Sequence, residues 1–246
     1  MIVYGACVAN EAKYSNSVES IRTHCDPAPT LLRASTRTSI AEAYNQLLRE
    51  VRELPDAEAL VLMHEDVEIL DHQFETKIRR ILADRPAVGL IGAIGGRDVT
   101  SLRWWRGVVV GRVFETRGIM SGICRTGDVD AVDGFLMILS PAAFGELDFD
   151  EAISGFHGYD GDYCAQVRHA DLAVTVAALD VAHHSKGGYG DLRAFRAANE
   201  RWSEKWGYPK PRFARLDGYF SALGNLVWRA ISPKPQRSQP GRSDQT

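Results

Sequence analysis

The chain has 246 residues, of which 45% are hydrophobic and 25% are charged, and its formal net charge is −3. These values are ordinary for a folded globular protein and argue against a disordered chain. So small a charge predicts no nucleic-acid partner, and no apolar run approaches the ~20 residues of a membrane span. No signal-peptide pattern opens the chain and its four cysteines form no CxxC pair, so we expect a cytoplasmic protein.

Apolar segments alternate with helical patterns through the first hundred residues. Continuous apolar runs predict buried strands at residues 2–9 and 59–63. Further strands are predicted at 30–34 and 88–93. Helices are predicted between them at residues 12–24, 39–51 and 74–82. This alternation indicates an α/β fold, in which helices flank both faces of a mostly parallel central sheet.

The second half of the chain is less regular. Residues 95–127 contain many glycines and arginines and predict loops and a hairpin. Further strands are predicted at 132–139 and 173–177, and further helices at 141–144, 160–170 and 191–206. Apolar residues recur at helical spacing near the end, which predicts a C-terminal helical extension over 207–231. Residues 232–246 are rich in Pro, Gln, Ser, Gly and Arg and predict a disordered tail.

Three polar residues, His64, Glu65 and Asp66, follow directly after the buried strand predicted at 59–63. In open α/β sheets, catalytic groups lie at the carboxyl ends of the strands. A carboxylate in that place suits Mg²⁺ or Mn²⁺, which prefer oxygen ligands and keep positions open for phosphate oxygens. A helix cap or a solvated acidic turn is the alternative interpretation of the same residues.

Two aspartates open the helix predicted at 160–170, within Tyr159-Asp160-Gly161-Asp162. A helix N-terminus stabilises negative charge, so these carboxylates can stay ionised as bases or metal ligands. Gly134 interrupts the apolar strand that precedes them, and a glycine lets a ligand approach the backbone closely. Two adjacent histidines, His183 and His184, come later and precede a glycine-rich segment.

These segments resemble nucleotide-sugar glycosyltransferases of the GT-A type, family 2. Within that family they are closest to the subgroup associated with a streptomycin-biosynthesis protein domain. The resemblance implies a single Rossmann-like GT-A domain over residues 1–206. The family carries Asp-x-Asp where this chain has His64-Glu65-Asp66, so Asp66 matches and His64 departs from the pattern. It carries Glu-Asp-x-Asp where this chain has Tyr159-Asp160-Gly161-Asp162, so Tyr159 replaces the glutamate.

The resemblance also implies roles for single residues. Asp160 would be the catalytic base, taking the proton of the acceptor hydroxyl in an inverting transfer. Mn²⁺ or Mg²⁺ would be bound by Asp66 together with His183 or His184. Contacts to the nucleotide sugar would come from Ala9, Asn10, Glu11, Arg37, Asn45, Glu65 and Asp66. Contacts to the acceptor would come from Asp133, Gly134 and Asp162. Packing explains Asn45 equally well, and helix capping is the alternative for Asp160 and Asp162.

The partners implied are a nucleotide-diphosphate sugar donor and an acceptor that is a glycan, a lipid-linked compound or a small molecule. The sequence leaves open whether the protein forms a homodimer, and membrane contact is expected to be peripheral at most. Two other functions compete with transfer. One is a metal-dependent hydrolase that uses His64, Asp66, His183 and His184, and the other is a non-catalytic module that binds nucleotide sugars.

A dinucleotide-dependent oxidoreductase is a further alternative, because glycines are frequent between Gly89 and Gly96. Their spacing lacks the Gly-x-Gly-x-x-Gly pattern, and they lie late in the predicted sheet instead of after its first strand. The sequence therefore favours the transferase.

Overall fold

The computed structural model describes residues 1–35, 39–116, 118–153, 155–185 and 191–209. Arg37 lies outside these residues, as do nearly all of the predicted C-terminal extension (207–231) and the whole predicted tail (232–246). Within the described ranges, no helix combines the length and the apolar character needed to cross a lipid bilayer.

The first half of the chain alternates strands and helices, as its sequence predicts. Its elements are β1 (Ile2–Cys7), α1 (Glu11–His24), β2 (Thr30–Ala34), α2 (Ile40–Arg52), β3 (Ala59–Met63), β4 (Val67–Ile69), α3 (Phe74–Asp84) and β5 (Val88–Gly92). Asn10 caps α1 and Ser39 caps α2 with their side-chain oxygens. These caps satisfy backbone N–H groups that have no partner within the helix.

The second half contains shorter elements. They are β6 (Ile94–Arg97), a 3₁₀ turn (Trp104–Arg106), β7 (Val108–Glu115), β8 (Gly118–Ser121), β9 (Gly127–Asp128), β10 (Ala131–Val132), β11 (Leu136–Leu139), α4 (Pro141–Glu146), α5 (Tyr159–His169), β12 (Ala173–Val176), β13 (Val181–His183) and α6 (Leu192–Trp206). The hairpin predicted within 95–127 is confirmed, because β7 and β8 pair antiparallel. The continuous strand predicted at 132–139 is wrong: residues 133–135 form a turn, in which the backbone N–H of Phe135 donates to Asp133 Oδ1.

Seven strands form the main sheet, in the order β2-β1-β3-β11-β5-β12-β9. Parallel pairs join β1 to β2 and β3, and β12 to β5, whereas β11 and β9 are antiparallel to their neighbours. Five of the seven strands therefore run in one direction, which confirms the mostly parallel α/β sheet. Every residue of β3 and of β5 is buried, as expected for strands that are covered on both faces.

A second sheet has the strand order β10-β6-β7-β13-β4, with β8 paired to β7. The glycine-rich run from Gly89 to Gly96 lies in β5 and β6, so it does not form the strand-to-helix turn that binds a dinucleotide. The sequence does not predict β4 or β13, because three residues are too few to carry a pattern.

The turn at residues 133–135 joins the two sheets. Val132 pairs with Gly95 in the second sheet, whereas Leu136 pairs with Met63 in the main one. The residues His64, Glu65 and Asp66 form the acidic turn between β3 and β4. On its other side, β13 places His183 opposite Val67. The end of β3, the end of β13 and the 133–135 turn consequently meet in one region, where the predicted site residues are concentrated.

Candidate active site

The side chains of His64, Asp66 and His183 converge where β3 and β13 end. One potential ligand atom from each lies within 4.8 Å of the others, and all three residues are partly buried. His183 Nε2 lies 3.5 Å from Asp66 Oδ1, and the centroids of the two imidazole rings are 5.5 Å apart. Two imidazole nitrogens and a carboxylate oxygen are a donor set that fits a divalent first-row metal ion such as Mn²⁺.

The surroundings hold Asp66 and His64 in the protonation states that bind metal. Hydrogen bonding from His183 lowers the pKa of Asp66 far below its usual range and, together with Lys13, outweighs the opposing effect of burial. Burial lowers the pKa of His64 to about 4, and the nearby His183 adds to the shift. At neutral pH, Asp66 is therefore ionised and His64 is neutral, as coordination requires.

Neighbouring residues fix the orientation of both histidines. The ring of Phe135 stacks on His183 with the centroids 4.8 Å apart, and the backbone oxygen of Phe135 accepts the backbone N–H of His64 at 2.9 Å. His64 Nε2 also lies 2.7 Å from the hydroxyl of Tyr159. A metal-binding imidazole commonly uses its second nitrogen for a hydrogen bond of this kind, which orients the ring.

Asp160 lies on the other side of the 133–135 turn, where its Oδ2 accepts the backbone N–H of Gly134 at 3.2 Å. Burial, together with the negative charge of Asp133, raises the pKa of Asp160 to about 7. Burial also raises the pKa of Asp133 itself. A carboxylate that titrates near neutral pH has the basicity suited to general-base catalysis.

Gly134 is required for the close approach of α5 to this turn. A Cβ atom at this position would overlap the phenol of Tyr159 and would lie only 2.9 Å from Cβ of Asp160. The absence of a side chain therefore lets the first turn of α5 bring Tyr159 and Asp160 to the site.

Three residues predicted to contact the nucleotide meet beside Asp66. The backbone N–H groups of Ala9 and Asn10 both donate to Glu65 Oε2, each at 2.6 Å. Glu11 is exposed and pairs with Arg33 instead. The structure thus joins the β1–α1 connection to the acidic turn through Glu65.

Three other predicted site residues are engaged elsewhere. Asn45 is buried and exchanges hydrogen bonds with the backbone of Phe149, at 2.8 and 2.9 Å, which agrees with its packing alternative. Asp162 is 1% exposed and accepts from Lys205 and Trp206 beneath α6. His184 Nε2 lies 3.1 Å from Glu68 Oε1 at the surface, so His183 is the member of the pair that joins the cluster.

One charged contact of the site, between Lys13 and Asp66, is not predicted by the sequence. Lys13 Nζ donates to Asp66 Oδ2 at 3.0 Å. A lysine on the surface of a helix carries no signal in one sequence, and its partner lies 53 positions away. The fold alone brings the two together.

A family model described as "Glycosyltransferase like family" matches residues 3–197. The chain belongs to this glycosyltransferase-like family. The streptomycin biosynthesis protein StrF of Streptomyces griseus is 28% identical over 215 residues, which cover 84% of this chain and 75% of that relative. Both findings confirm the family that the motifs at Asp66 and Asp160 suggest.

Solved structures resemble the chain in fold. The mannosyltransferase PcManGT from Pyrobaculum calidifontis, solved in complex with GDP-Man and Mn²⁺, has a TM-score of 0.52 and 15% identity, and the match covers 93% of this chain and 71% of that one. A197 from STIV has a TM-score of 0.53 and 13% identity, with coverage of 75% and 86%. The similarity to PcManGT, with the architecture described above, confirms the GT-A fold.

Proposed function

We propose that this protein transfers a sugar from a nucleotide-diphosphate sugar to an acceptor hydroxyl, with inversion and with the help of a divalent metal ion. One observation carries the proposal, namely the position of the 133–135 turn between the His64-Asp66-His183 cluster and Asp160. Phe135 stacks on His183, while Gly134 donates to Asp160. Candidate metal ligands and a candidate base thus flank a single three-residue turn.

His64, Asp66 and His183 would hold the metal ion. Mn²⁺ fits this donor set better than Mg²⁺, because imidazole nitrogen suits transition metals and Mg²⁺ prefers oxygen ligands. When bound, the ion would neutralise negative charge that develops on the leaving diphosphate. The Mn²⁺ in the PcManGT complex supports this choice.

Asp160 would act as the catalytic base. Its carboxylate would accept the proton of the acceptor hydroxyl as that oxygen forms a bond to the anomeric carbon. The bond from the same carbon to the diphosphate oxygen would break on the opposite face. The pKa of about 7 supports this role, because such a carboxylate binds the proton readily and releases it to water afterwards.

The donor and the acceptor would approach from different sides of the turn. Ala9, Asn10 and Glu65 lie beside Asp66 and would contact the nucleotide. Asp133 and Gly134 lie beside Asp160 and would contact the acceptor. In this arrangement the sugar of the donor would lie between the metal ligands and the base.

The test is a thermal-unfolding screen of the full chain with UDP, GDP, dTDP and CDP, each with and without Mn²⁺. A ligand that binds only the native state raises the melting temperature. We expect at least one nucleotide to stabilise the wild type when Mn²⁺ is present, and Asp66→Ala to abolish this effect. Asp128→Ala is the matched control, because Asp128 is an exposed aspartate on β9. Stabilisation that is equal without metal, or that persists in Asp66→Ala, would contradict the proposal.

A further inference from the structure

Lys13 lies in the first turn of α1, and its ammonium group contacts the proposed metal ligand Asp66. Lys13 Nζ is 3.0 Å from Asp66 Oδ2, whereas His183 Nε2 faces the other oxygen, Oδ1. The Lys13 side chain is 46% exposed and that of Asp66 is 14% exposed. The ammonium therefore lies at the edge of the cluster and is more accessible to solvent than the carboxylate that it contacts.

Hydrogen bonds fix the start of α1, which carries Lys13, and attach it to the turn that carries Asp66. Asn10 Oδ1 accepts the backbone N–H groups of Ala12 and Lys13, each at 3.1 Å. Glu65 fastens the start of the helix to the acidic turn by accepting from Ala9 and Asn10. Lys13 and Asp66 are thus held close together by the backbone, independently of their own ion pair.

The position is unfavourable for a lysine on local grounds. A helix N-terminus carries partial positive charge and favours acidic side chains, so a cation in the first turn costs stability. The contact with Asp66 offsets part of this cost, and an anionic ligand beside the ammonium would offset more of it.

The ammonium group of Lys13 can donate more hydrogen bonds than the one that it makes to Asp66. A lysine carries three N–H donors, and among the described residues Asp66 is its one hydrogen-bond partner. The side chain is 46% exposed, so solvent or a ligand can reach the ammonium group. A phosphate group, with several acceptor oxygens, fits this arrangement.

We propose that Lys13 binds the diphosphate of the donor next to the metal ion, while it keeps its contact with Asp66. This inference rests on the function proposed above. The leaving diphosphate carries more negative charge than one divalent ion neutralises, and a fixed ammonium stabilises the remainder. Because Lys13 contacts Oδ2, the oxygen that faces His183 stays directed toward the cluster.

Binding measurements on the full chain test this role without relying on turnover. Calorimetry in the presence of Mn²⁺ compares the affinities for UDP, GDP, dTDP and CDP with those for the corresponding monophosphates. The electron paramagnetic resonance signal of free Mn²⁺ reports binding of the metal alone. Lys13→Met should weaken the diphosphate by about tenfold, the loss expected for one hydrogen bond to a charged group. Its affinity for Mn²⁺ alone should not fall, because the variant removes a cation beside Asp66, and its affinity for the monophosphate should fall less than its affinity for the diphosphate. Arg22→Met is the control, because Arg22 is exposed in the last turn of the same helix, and it should change none of these affinities.

Three results would overturn the inference. A Lys13→Met variant that binds Mn²⁺ more tightly and the diphosphate normally would show that the ammonium only neutralises Asp66. Equal weakening of Mn²⁺ and diphosphate would show that Lys13 acts through the metal ligands. A wild type that binds none of the four nucleotides would refute the proposed function itself, and the role of Lys13 with it.

Discussion

His64 Nε2 and the hydroxyl of Tyr159 lie 2.7 Å apart, which joins the two positions at which this chain departs from the family 2 pattern. His64 stands in the first place of Asp-x-Asp, and Tyr159 replaces the glutamate before Asp160. Two carboxylates in direct contact would repel each other and shift their pKa values. An imidazole and a phenol form a hydrogen bond instead, so the two replacements act as one unit between the proposed metal ligands and the proposed base.

Removal of the Tyr159 hydroxyl is expected to weaken the metal site. In Tyr159→Phe, His64 loses the partner that orients its ring, and we expect Mn²⁺ to bind about tenfold more weakly, the lower end of the effect of such outer partners. The resonance signal of free Mn²⁺ measures the affinity. Tyr163→Phe is the control, because that hydroxyl lies on the same helix but bonds to the Ala143 carbonyl. If Tyr159→Phe binds Mn²⁺ as tightly as the control does, the hydrogen bond does not support the site.

Gly134→Ala is expected to destabilise the fold and to displace the base. The new methyl group would collide with Tyr159 and Asp160, and overpacking of this kind costs about 1–3 kcal/mol. Urea unfolding gives the change in the free energy of unfolding. Gly145→Ala is the matched control, because a Cβ there meets no atom within 4 Å and α4 should tolerate or favour alanine. Equal stability of the two variants would mean that the approach of α5 to the turn is not tight.

Asp160→Asn is expected to stabilise the protein at alkaline pH. The pKa of this carboxyl is 3.8 in a model compound and about 7 in the folded protein, so the folded state binds the proton more tightly than the unfolded state. The stability of the wild type therefore falls as the pH rises from about 4 to about 7, and stays low above that range. Asparagine carries no charge to bury, so the variant should melt higher than the wild type at pH 8 and close to it at pH 4.

Melting curves at pH 8 and pH 4 compare the melting temperatures of Asp160→Asn and the wild type. Asp128→Asn, at an exposed aspartate, is the control. A gain that is the same at both pH values, or that Asp128→Asn shares, would show that the buried charge of Asp160 is not its source.

The same pKa predicts how the rate of transfer depends on pH. Only the deprotonated form of Asp160 accepts a proton, so the rate should rise with pH and level off above about pH 7. Initial rates between pH 5.5 and pH 8.5 at saturating Mn²⁺ and donor give the profile. A rate that is flat across this range would argue against Asp160 as the base.

The sequence predicts the parts of the fold that long patterns determine. The bounds of β2 and β3 agree with their predicted ranges, and β3 is a continuous apolar run between polar segments. The prediction of one strand over 132–139 passes over Asp133 and Gly134, which interrupt the apolar residues and lie in the turn. Two-residue and three-residue strands such as β10 and β13 also escape prediction, although they position the site.

The candidate site is predicted where a residue follows a strand directly, as Asp66 does, or opens a helix, as Asp160 does. His183 and His184 are equivalent in the sequence, and only the pairing of His183 with Val67 places one of them in the cluster. Lys13 and Phe135 belong to the site through contacts between distant segments. Such contacts depend on packing, which a single sequence does not display.

The release of nucleoside diphosphate from the donor sugar nucleotide, compared between the wild type and Asp160→Asn with water as the acceptor, is the decisive measurement. The variant should bind the nucleotide with a Kd within about twofold of the wild type and release the diphosphate at least ~100-fold more slowly, as expected for the loss of a general base. Near-normal release by Asp160→Asn would contradict the proposed base. A wild type that binds the nucleotide sugar but releases no diphosphate, either to water or to a panel of glycan, lipid-linked and small-molecule hydroxyl acceptors, would contradict transfer and would favour a non-catalytic binding module.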